Sequence, residues 1–546
     1  MRYELWDIKQ RYPNDIAKAV LENREVKDAE AFFKSDYSLL QDPMRFPSMG
    51  QAIKRIKQAK DKKQKIGIFM DYDADGICGG AIIYRTLQKE FPGLAWYVPS
   101  RSEGYGLSNN AIDYFIDQKI DLLLTVDCGV KNITQIDYAY SKGVDVIVFD
   151  HHQLGDKVSD KAILVHPLSE EDNKLDFKSF SGGGVAFMFA KAYLENSGQE
   201  KWLLDLAAIS TVADMVLLKD DNRIIVKYGQ KVIGKTRNLG LQLLLEVAQV
   251  NTDKITTYDI GFLIAPRINA AGRMSDPKKS FELLITSDKK EALRLARELD
   301  GHNRVRQEEL TAAQKKACDE VMKNHLDKNK IIIIKNKSWN EGILGLIAGR
   351  VDENFYRPTI VLKDEELMRG SARSVPGVDI NQLLSKVSKY LESWGGHNQA
   401  AGLSLKRKNY EIFTQKIVKI ASKIDPSLFQ KKLSIDALVD FGQLNMDLAK
   451  TLEKMEPFGY GNKTPIFACE KLTVESVNTV GKNSDHLKME VCADSKYGSC
   501  IVFNAFKNGI DLKRGDIVDL AFNVRINEFR GNKKLDLVIE DAKKIS

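Results

Sequence analysis

Three short apolar runs, each ending abruptly in aspartate, constrain this chain more than any other feature. The first, Ile66–Met70, stops at Asp71-Tyr72-Asp73-Ala74-Asp75-Gly76. The second, 121–126, stops at Asp127-Cys128-Gly129, and the third, 144–149, at Asp150-His151-His152. Runs of this length between turn signals read as buried strands. A helix-length segment, 132–142, separates the second from the third, which makes a βαβ unit with parallel strands. In an open α/β sheet, ligands bind beyond the carboxyl ends of the strands. The three aspartate-bearing ends are therefore expected to converge on one place.

Asp71, Asp73 and Asp75 alternate along 71–76 and repel one another at neutral pH unless something neutralises them. A hard divalent cation takes such oxygens readily. The D-x-D-x-D-G spelling also fits a calcium loop, but that loop follows a helix and needs Glu at its twelfth position. Here a strand precedes and Ile82 stands there, so the EF-hand reading fails. An Asp-rich turn closed by glycine remains the plain alternative for any single strand end. Recurrence at three ends favours a metal site. Segment 202–218, WLLDLAAISTVADMVLL, reads as a nearly all-buried helix carrying Asp214. An unpaired carboxylate is costly to bury, so a metal ligand is preferred there over a helix-capping role.

The segments DYDADG, TVDCG, FDHH and STVADMV, in this order, resemble the motifs of the DHH phosphoesterase superfamily and, within it, the RecJ family of exonucleases. The resemblance implies Asp71, Asp73, Asp75, Asp127, His151 and Asp214 as metal ligands. Of these Asp71, like Asp150 beside the set, is alternatively a group that orients the ligands. The ions would be Mn²⁺, or the harder Mg²⁺, two per site with Asp127 shared. Paired ions about 3.5–4 Å apart lower the pKa of a water and hold attacking and leaving oxygens. Asp127, His151 and His152 form the catalytic group, with His152 facing the scissile phosphate. Relatives acting on smaller substrates carry a His four residues before the second motif aspartate. This chain has Phe69 there, so one ion is expected to be held less tightly.

The resemblance extends over nearly the whole chain and implies an α/β multidomain architecture. Residues 1–60 are expected as a helical lead-in packed on the first domain. A parallel-sheet DHH domain follows over 61–285, and a connecting helix over 286–327, interrupted at Gly301-His302-Asn303. A smaller α/β DHHA1 domain covers 328–425, and a C-terminal OB-like β-barrel covers 431–546. Within 98–107 two glycines and Arg101 suit phosphate approach, and Ser181-Gly182-Gly183-Gly184 opens a helix whose free amides suit an anion. Segment 265–274 reads as a small-residue turn flanked by Arg267 and Arg273. By resemblance, Arg101, Arg273, Ser371 and Arg373 hold a 5′-phosphate, and His397 in a glycine loop faces the metal site. Ser371 and Arg373, two apart on a strand, share a face. The segment 457–462, PFGYGN, is similar to one that enters the barrel in the family.

The barrel region 431–546 has nearly balanced charge, so single-strand binding there would need a local groove with aromatics such as Phe503, Phe506 or Phe529. Most of these are expected in the core. Across 546 residues the formal charge of +7 permits a nucleic-acid partner without demanding one. Six scattered cysteines without C-x-x-C pairs suit reduced thiols. No apolar run is long enough for a membrane span, and the N-terminal stretch lacks a secretory signal, so a cytoplasmic location is expected; the expected state is a monomer. The function implied is a metal-dependent 5′→3′ exonuclease degrading single-stranded DNA to mononucleotides in DNA repair and recombination. A narrow entrance between the α/β domains would exclude duplex, and a single-strand-binding protein and a helicase are candidate partners. Two alternatives are a phosphodiesterase of short oligonucleotides or cyclic dinucleotides, and a non-catalytic replication scaffold. The barrel and lead-in disfavour the first, and the complete set of motif carboxylates disfavours the second.

Overall fold

The computed structural model describes residues 3–170, 173–481, 485–529 and 531–545. It divides into two compact units, one built from Lys34–Glu309 with Pro457–Asn462, the other from Met1–Phe33, Leu310–Glu456 and Lys463–Ser546. In the first unit the three apolar runs are the central strands of a five-stranded parallel sheet. Its order is Ala95–Tyr97, Ile66–Met70, Leu122–Val126, Asp145–Phe149, Ala162–Val165. The register sets Met70 beside Val126, Val126 beside Phe149 and Phe149 beside Val165. Asp71, Asp127, Asp150 and His166 therefore each stand one residue beyond the same edge.

Side chains alternate across a strand, and here both faces are covered. Ile66, Ile68, Met70, Leu122, Leu124 and Val126 join one core with the helices Ala74–Leu87, Gly182–Tyr193 and Leu204–Ala213. Phe69, Leu123, Val146 and Val148 join another with Ile112, Phe115 and Ile136. A sheet buried on both faces writes continuous apolar runs rather than alternating ones, which is what the sequence contains. The helix expected over 132–142 spans Ile133–Ser141. The segment around Asp214 is a helix over Leu204–Ala213, with Asp214 as its C-cap.

Two local expectations change. Segment 265–274 is a helix, Ala265–Met274, entered from a π-helical turn at Asp259–Ile264. Pro266 lies in its first turn, where a missing N–H goes unnoticed, so turn-like composition continues a helix. Gly301-His302-Asn303 interrupts nothing either, because Lys289–Lys323 is one helix of 35 residues. One glycine costs about 1 kcal/mol against alanine, too little to break a run of strong helix formers.

The second unit holds a mixed five-stranded sheet in the order Ser393–His397, Ala400–Lys406, Leu367–Arg373, Thr359–Lys363, Ile332–Asn336, and only the last pair is parallel. Ile360, Leu362, Met368, Ala372 and Leu405 pack on Phe413 and Ile417 of the helix Tyr410–Ala421. A separate sheet runs through Phe467–Val480, His486–Ala493, Lys496–Val502, Asn532–Lys544 and Ile517–Phe529. It closes into a five-stranded barrel because Phe467–Val480 pairs with both His486–Ala493 and Ile517–Phe529. Register shifts at Cys469/Leu472 and Val474/Ser476 bend that long strand, as bulges do.

The lead-in is not helical throughout. Leu5–Arg11 is a strand, parallel to Lys432–Leu438, and it belongs to the second unit. Its alternating burial shows a half-covered edge, and its partner lies more than 400 residues away, beyond the reach of any local pattern. In the barrel region Phe503 and Phe506 are exposed rather than core, and the Phe529 side chain lies outside the described residues.

Candidate metal centre

Asp71 follows the first strand directly and is buried, and its Oδ1 has no hydrogen-bond partner among the described residues. Burial first, and then the Asp73 charge, push its carboxyl far above the usual range. Asp73 caps the helix Ala74–Leu87, accepting the amides of Asp75 and Gly76 at 2.9 and 3.2 Å. Its carboxyl is also raised, by burial and by Asp75.

Asp75 explains the glycine run at 182–184. The amides of Gly182 and Gly183 donate to its two oxygens at 2.8 and 2.7 Å, and Ser210 Oγ donates at 2.5 Å. The free amides at the start of Gly182–Tyr193 thus take an anion from the chain itself. A Cβ on Gly182 would stand 2.6 Å from Asp127 Cβ, and one on Gly183 would stand 2.5 Å from Ser210 Oγ. Only glycine lets this helix end approach two carboxylates so closely.

Asp127 adopts a left-handed backbone, φ 61°, a conformation that aspartate tolerates better than most residues. Burial, and then Asp75 and Asp73, push its carboxyl far up. Burial and the same two neighbours raise Asp214 to about 9. His151 Nε2 lies 3.1 Å from Asp127, 3.6 Å from Asp75 and 3.6 Å from Asp214. Burial lowers its pKa, which favours the neutral, ligating imidazole.

Three groups have ligand atoms within 4.8 Å of one another: Asp71 with Asp73 and Asp127, Asp75 with His151 and Asp214, and Asp127 with His151 and His152. Carboxylates this crowded stay ionised together only when a cation balances them. The unpartnered Asp71 oxygen and the carboxylate-rich donor set fit a hard divalent ion.

Asp150 does other work. Its Oδ1 is 2.8 Å from His152 Nδ1, and its Oδ2 accepts the Val130 amide at 3.0 Å. Burial pushes the Asp150 carboxyl up, but these hydrogen bonds and the His152 charge outweigh it and hold the carboxyl well below its usual value. Burial would likewise lower His152, yet Asp150 keeps its pKa above the ordinary range. His166, at the matching position after the last strand, lies 2.9 Å from the His152 carbonyl. The Tyr105 hydroxyl donates to the Asp127 carbonyl at 2.9 Å and approaches the His152 ring at 3.0 Å. Asn269 Oδ1 accepts the Ala74 amide at 2.8 Å. Sequence reasoning missed Tyr105, Ser210, His166 and Asn269 as members of the site. Tyr105 and Asn269 lie in segments singled out for their arginines, and Ser210 opens the STVADMV motif, whereas His166 had no local signal.

The arginines fall into two places. Arg101 sits over the Tyr72 ring at 4.9 Å, with its Nε 3.4 Å from the Gly272 carbonyl. Arg273, one residue on, lends positive charge to Tyr72 and Asp73. Arg267 is instead tied to Asp300 at 2.9 Å. In the second unit Arg373 donates to Ser371 Oγ at 3.0 Å, and both face Gly345 at the start of the helix Leu344–Phe355. His397 is exposed at the end of the edge strand Ser393–His397.

Three family models match the chain: the DHH family, N-terminal domain, over 65–213, the DHHA1 domain over 328–423, and the RecJ OB domain over 435–541. The single-stranded-DNA-specific exonuclease RecJ of Haemophilus influenzae is 30% identical over 552 residues, covering 95% of this chain and 94% of that one. The Bacillus subtilis protein of the same name is 33% identical over 521 residues, and the match takes in 94% of this chain but 66% of the longer relative. A crystal structure of RecJ in complex with Mn²⁺ from Thermus thermophilus superposes with a TM-score of 0.83 at 27% identity, over 99% of this chain and 80% of that one.

Proposed function

The chain belongs to the RecJ family of single-stranded-DNA-specific exonucleases, and from that premise we propose that it is a metal-dependent 5′→3′ exonuclease degrading single-stranded DNA to mononucleotides in DNA repair and recombination. The reading rests above all on the convergence of Asp71, Asp73, Asp75, Asp127, His151 and Asp214 beyond one sheet edge.

Those six residues would hold Mn²⁺ or Mg²⁺, which supplies the water activation and charge neutralisation that phosphodiester hydrolysis needs. Asp127 and His151 each stand in two of the three ligand groups, and Asp127, whose carboxylate offers two oxygens, would be the shared ligand. Asp75 is held by the Gly182 and Gly183 amides and by Ser210, which would orient its carboxylate toward an ion. Asp150 acts as a positioning residue, holding the His152 ring and favouring its protonated form. In that form His152 donates a proton or hydrogen bond to the scissile phosphate or the leaving oxygen. Arg101, Arg273, Ser371 and Arg373 would recognise the 5′-phosphate, since guanidinium and hydroxyl donors suit a terminal dianion. His397 completes the DNA-contacting set.

The proposed organisation keeps a DHH domain over 61–285, a connecting helix over 286–327, a DHHA1 domain over 328–425 and a single-strand-binding barrel over 431–546. A monomer acting in the cytoplasm, where a single-strand-binding protein and a helicase would expose and deliver single strands, completes the reading. No helix among the described residues is long and apolar enough to cross a membrane. The experiment is a Mn²⁺-dependent digestion of a long single strand labelled separately at each end. Mononucleotides released first from the 5′ label, with duplex left intact, are expected. Hydrolysis confined to dinucleotides or cyclic dinucleotides would overturn the exonuclease reading.

A further inference from the structure

Four large apolar side chains stand open to solvent on three segments of the Lys34–Glu309 unit that are tied to one another. Met215 is 68% exposed, Tyr258 and Phe262 are each 62% exposed, and Tyr460 is 55% exposed. The Leu218 amide donates to the Tyr460 carbonyl at 2.7 Å, and the Thr257 hydroxyl donates to the Phe458 carbonyl at 2.7 Å. The segment Pro457–Asn462, far away in sequence, thus bridges the turn after Asp214 to the turn that carries both rings. Its glycines make that approach possible: a Cβ on Gly459 would stand 3.0 Å from Leu218 Cδ2, and one on Gly461 would stand 2.8 Å from Leu217 Cδ2. This is a structural role for the PFGYGN motif that hydrolysis itself does not require.

The rings are arranged, not scattered. Tyr258 and Phe262 stack with centroids 4.9 Å apart and planes 21° from parallel. Among the described residues, theirs is the stacked pair with both rings exposed. Phe262 lies in the π-helical turn at Asp259–Ile264 and Tyr258 caps it, and such turns are frequent at functional sites. Gly261 of this turn packs on Val212, in the helix that ends at Asp214. Met215 follows Asp214 directly and has a left-handed backbone, φ 56°. The apolar surface therefore begins one residue from a carboxylate that lies 3.6 Å from His151.

We propose that Met215, Tyr258, Phe262 and Tyr460 form a stacking platform for the bases of a single strand whose backbone is engaged at the metal centre. The proposal rests on the exonuclease reading above and adds to it a surface that contacts bases rather than phosphates. Flat exposed rings take unpaired bases without regard to sequence, because every base has a π-face. Paired bases are stacked inside a duplex and do not offer those faces. Direct continuity with the metal ligands favours a base over an apolar side chain of another protein as the occupant.

The test compares wild type with Tyr258→Ala/Phe262→Ala on two 5′-phosphorylated oligonucleotides of equal length, one with all its bases and one abasic beyond the first nucleotides. Binding is read by fluorescence anisotropy in the presence of a chelator, and KM and kcat are read with Mn²⁺. Wild type is expected to bind the base-bearing strand about tenfold more tightly than the abasic one. The double variant should lose that preference through a raised KM, with kcat nearly unchanged. Tyr258→Trp should restore it in the Phe262→Ala background. A double variant that keeps the wild-type preference would overturn the proposal and leave the patch as a protein-docking surface. Wild type that cleaves neither strand would instead overturn the exonuclease reading, so the two failures are distinguishable.

Discussion

At the scale of single residues, the site is governed by repulsion among buried carboxylates. Asp71, Asp73, Asp127 and Asp214 all have carboxyls raised by burial and by neighbouring carboxylates, Asp75 and Asp73 foremost, so metal-free protein carries a cost that bound ions would relieve. Asp127→Asn is the informative change, because asparagine tolerates the left-handed backbone that alanine would strain. Nuclease activity should fall at least about 100-fold, while the melting temperature in chelator holds or rises. Wild-type-like activity in the purified variant would remove Asp127 from the shared position. Arg373→Lys keeps the charge but loses the fork. Its expected effect is weaker preference for a 5′-phosphate over a 5′-hydroxyl end, measured as the ratio of kcat/KM values, with little change in kcat.

At the scale of elements, two helices hold the site by their ends and their buried faces. The start of Gly182–Tyr193 orients Asp75, and Gly183→Ala would drive a methyl to 2.5 Å from Ser210 Oγ. That serine is itself bonded to Ser181 and Asp75 and has nowhere to move. Overpacking of this kind costs about 1–3 kcal/mol. A lower melting temperature together with weaker Mn²⁺ binding by calorimetry is expected, and a fall in stability alone would mean that Asp75 is not held by this end. In the helix Leu204–Ala213, burial outweighs the Thr236 and Leu206 hydrogen bonds and raises the Asp205 carboxyl to about 6. Its folded pKa exceeds the unfolded one, so the folded state binds the proton more tightly and stability declines as pH rises from about 4 to 6. Asp205→Asn should remove that decline. Relative to wild type, the variant should gain about 2–3 kcal/mol over that interval, read from denaturant unfolding at a series of pH values.

At the scale of the molecule, the chain returns on itself twice. Pro457–Asn462 is part of the Lys34–Glu309 unit, and Met1–Phe33 is part of the unit that holds the barrel. Removing residues 1–12 would strip the Leu5–Arg11 strand from Lys432–Leu438 and bare a sheet edge. The expected result is a melting temperature lower by several degrees and a concentration-dependent rise in light scattering. Unchanged values for both would mean that the strand adds nothing to the second unit.

The sequence by itself determined the sheet and its chemistry. Apolar runs of strand length, each followed by aspartate, dictate both where the strands lie and what stands beyond their ends, because side-chain alternation and the carboxyl-edge rule are local and topological. The meeting of Asp71, Asp127 and Asp150 beyond one sheet edge was legible for that reason, whereas Asp214, which caps a helix, was reached from the cost of burying a carboxylate and from the family resemblance. Tertiary structure alone decided which partner each charged group takes. It gave the glycine-run amides to Asp75, set Asp150 on His152, tied Arg267 to Asp300, and brought Leu5–Arg11 and Pro457–Asn462 to partners hundreds of residues away. Hydrogen bonds and charges act over a few ångströms in space, and a chain's local pattern carries no record of what will stand at that distance.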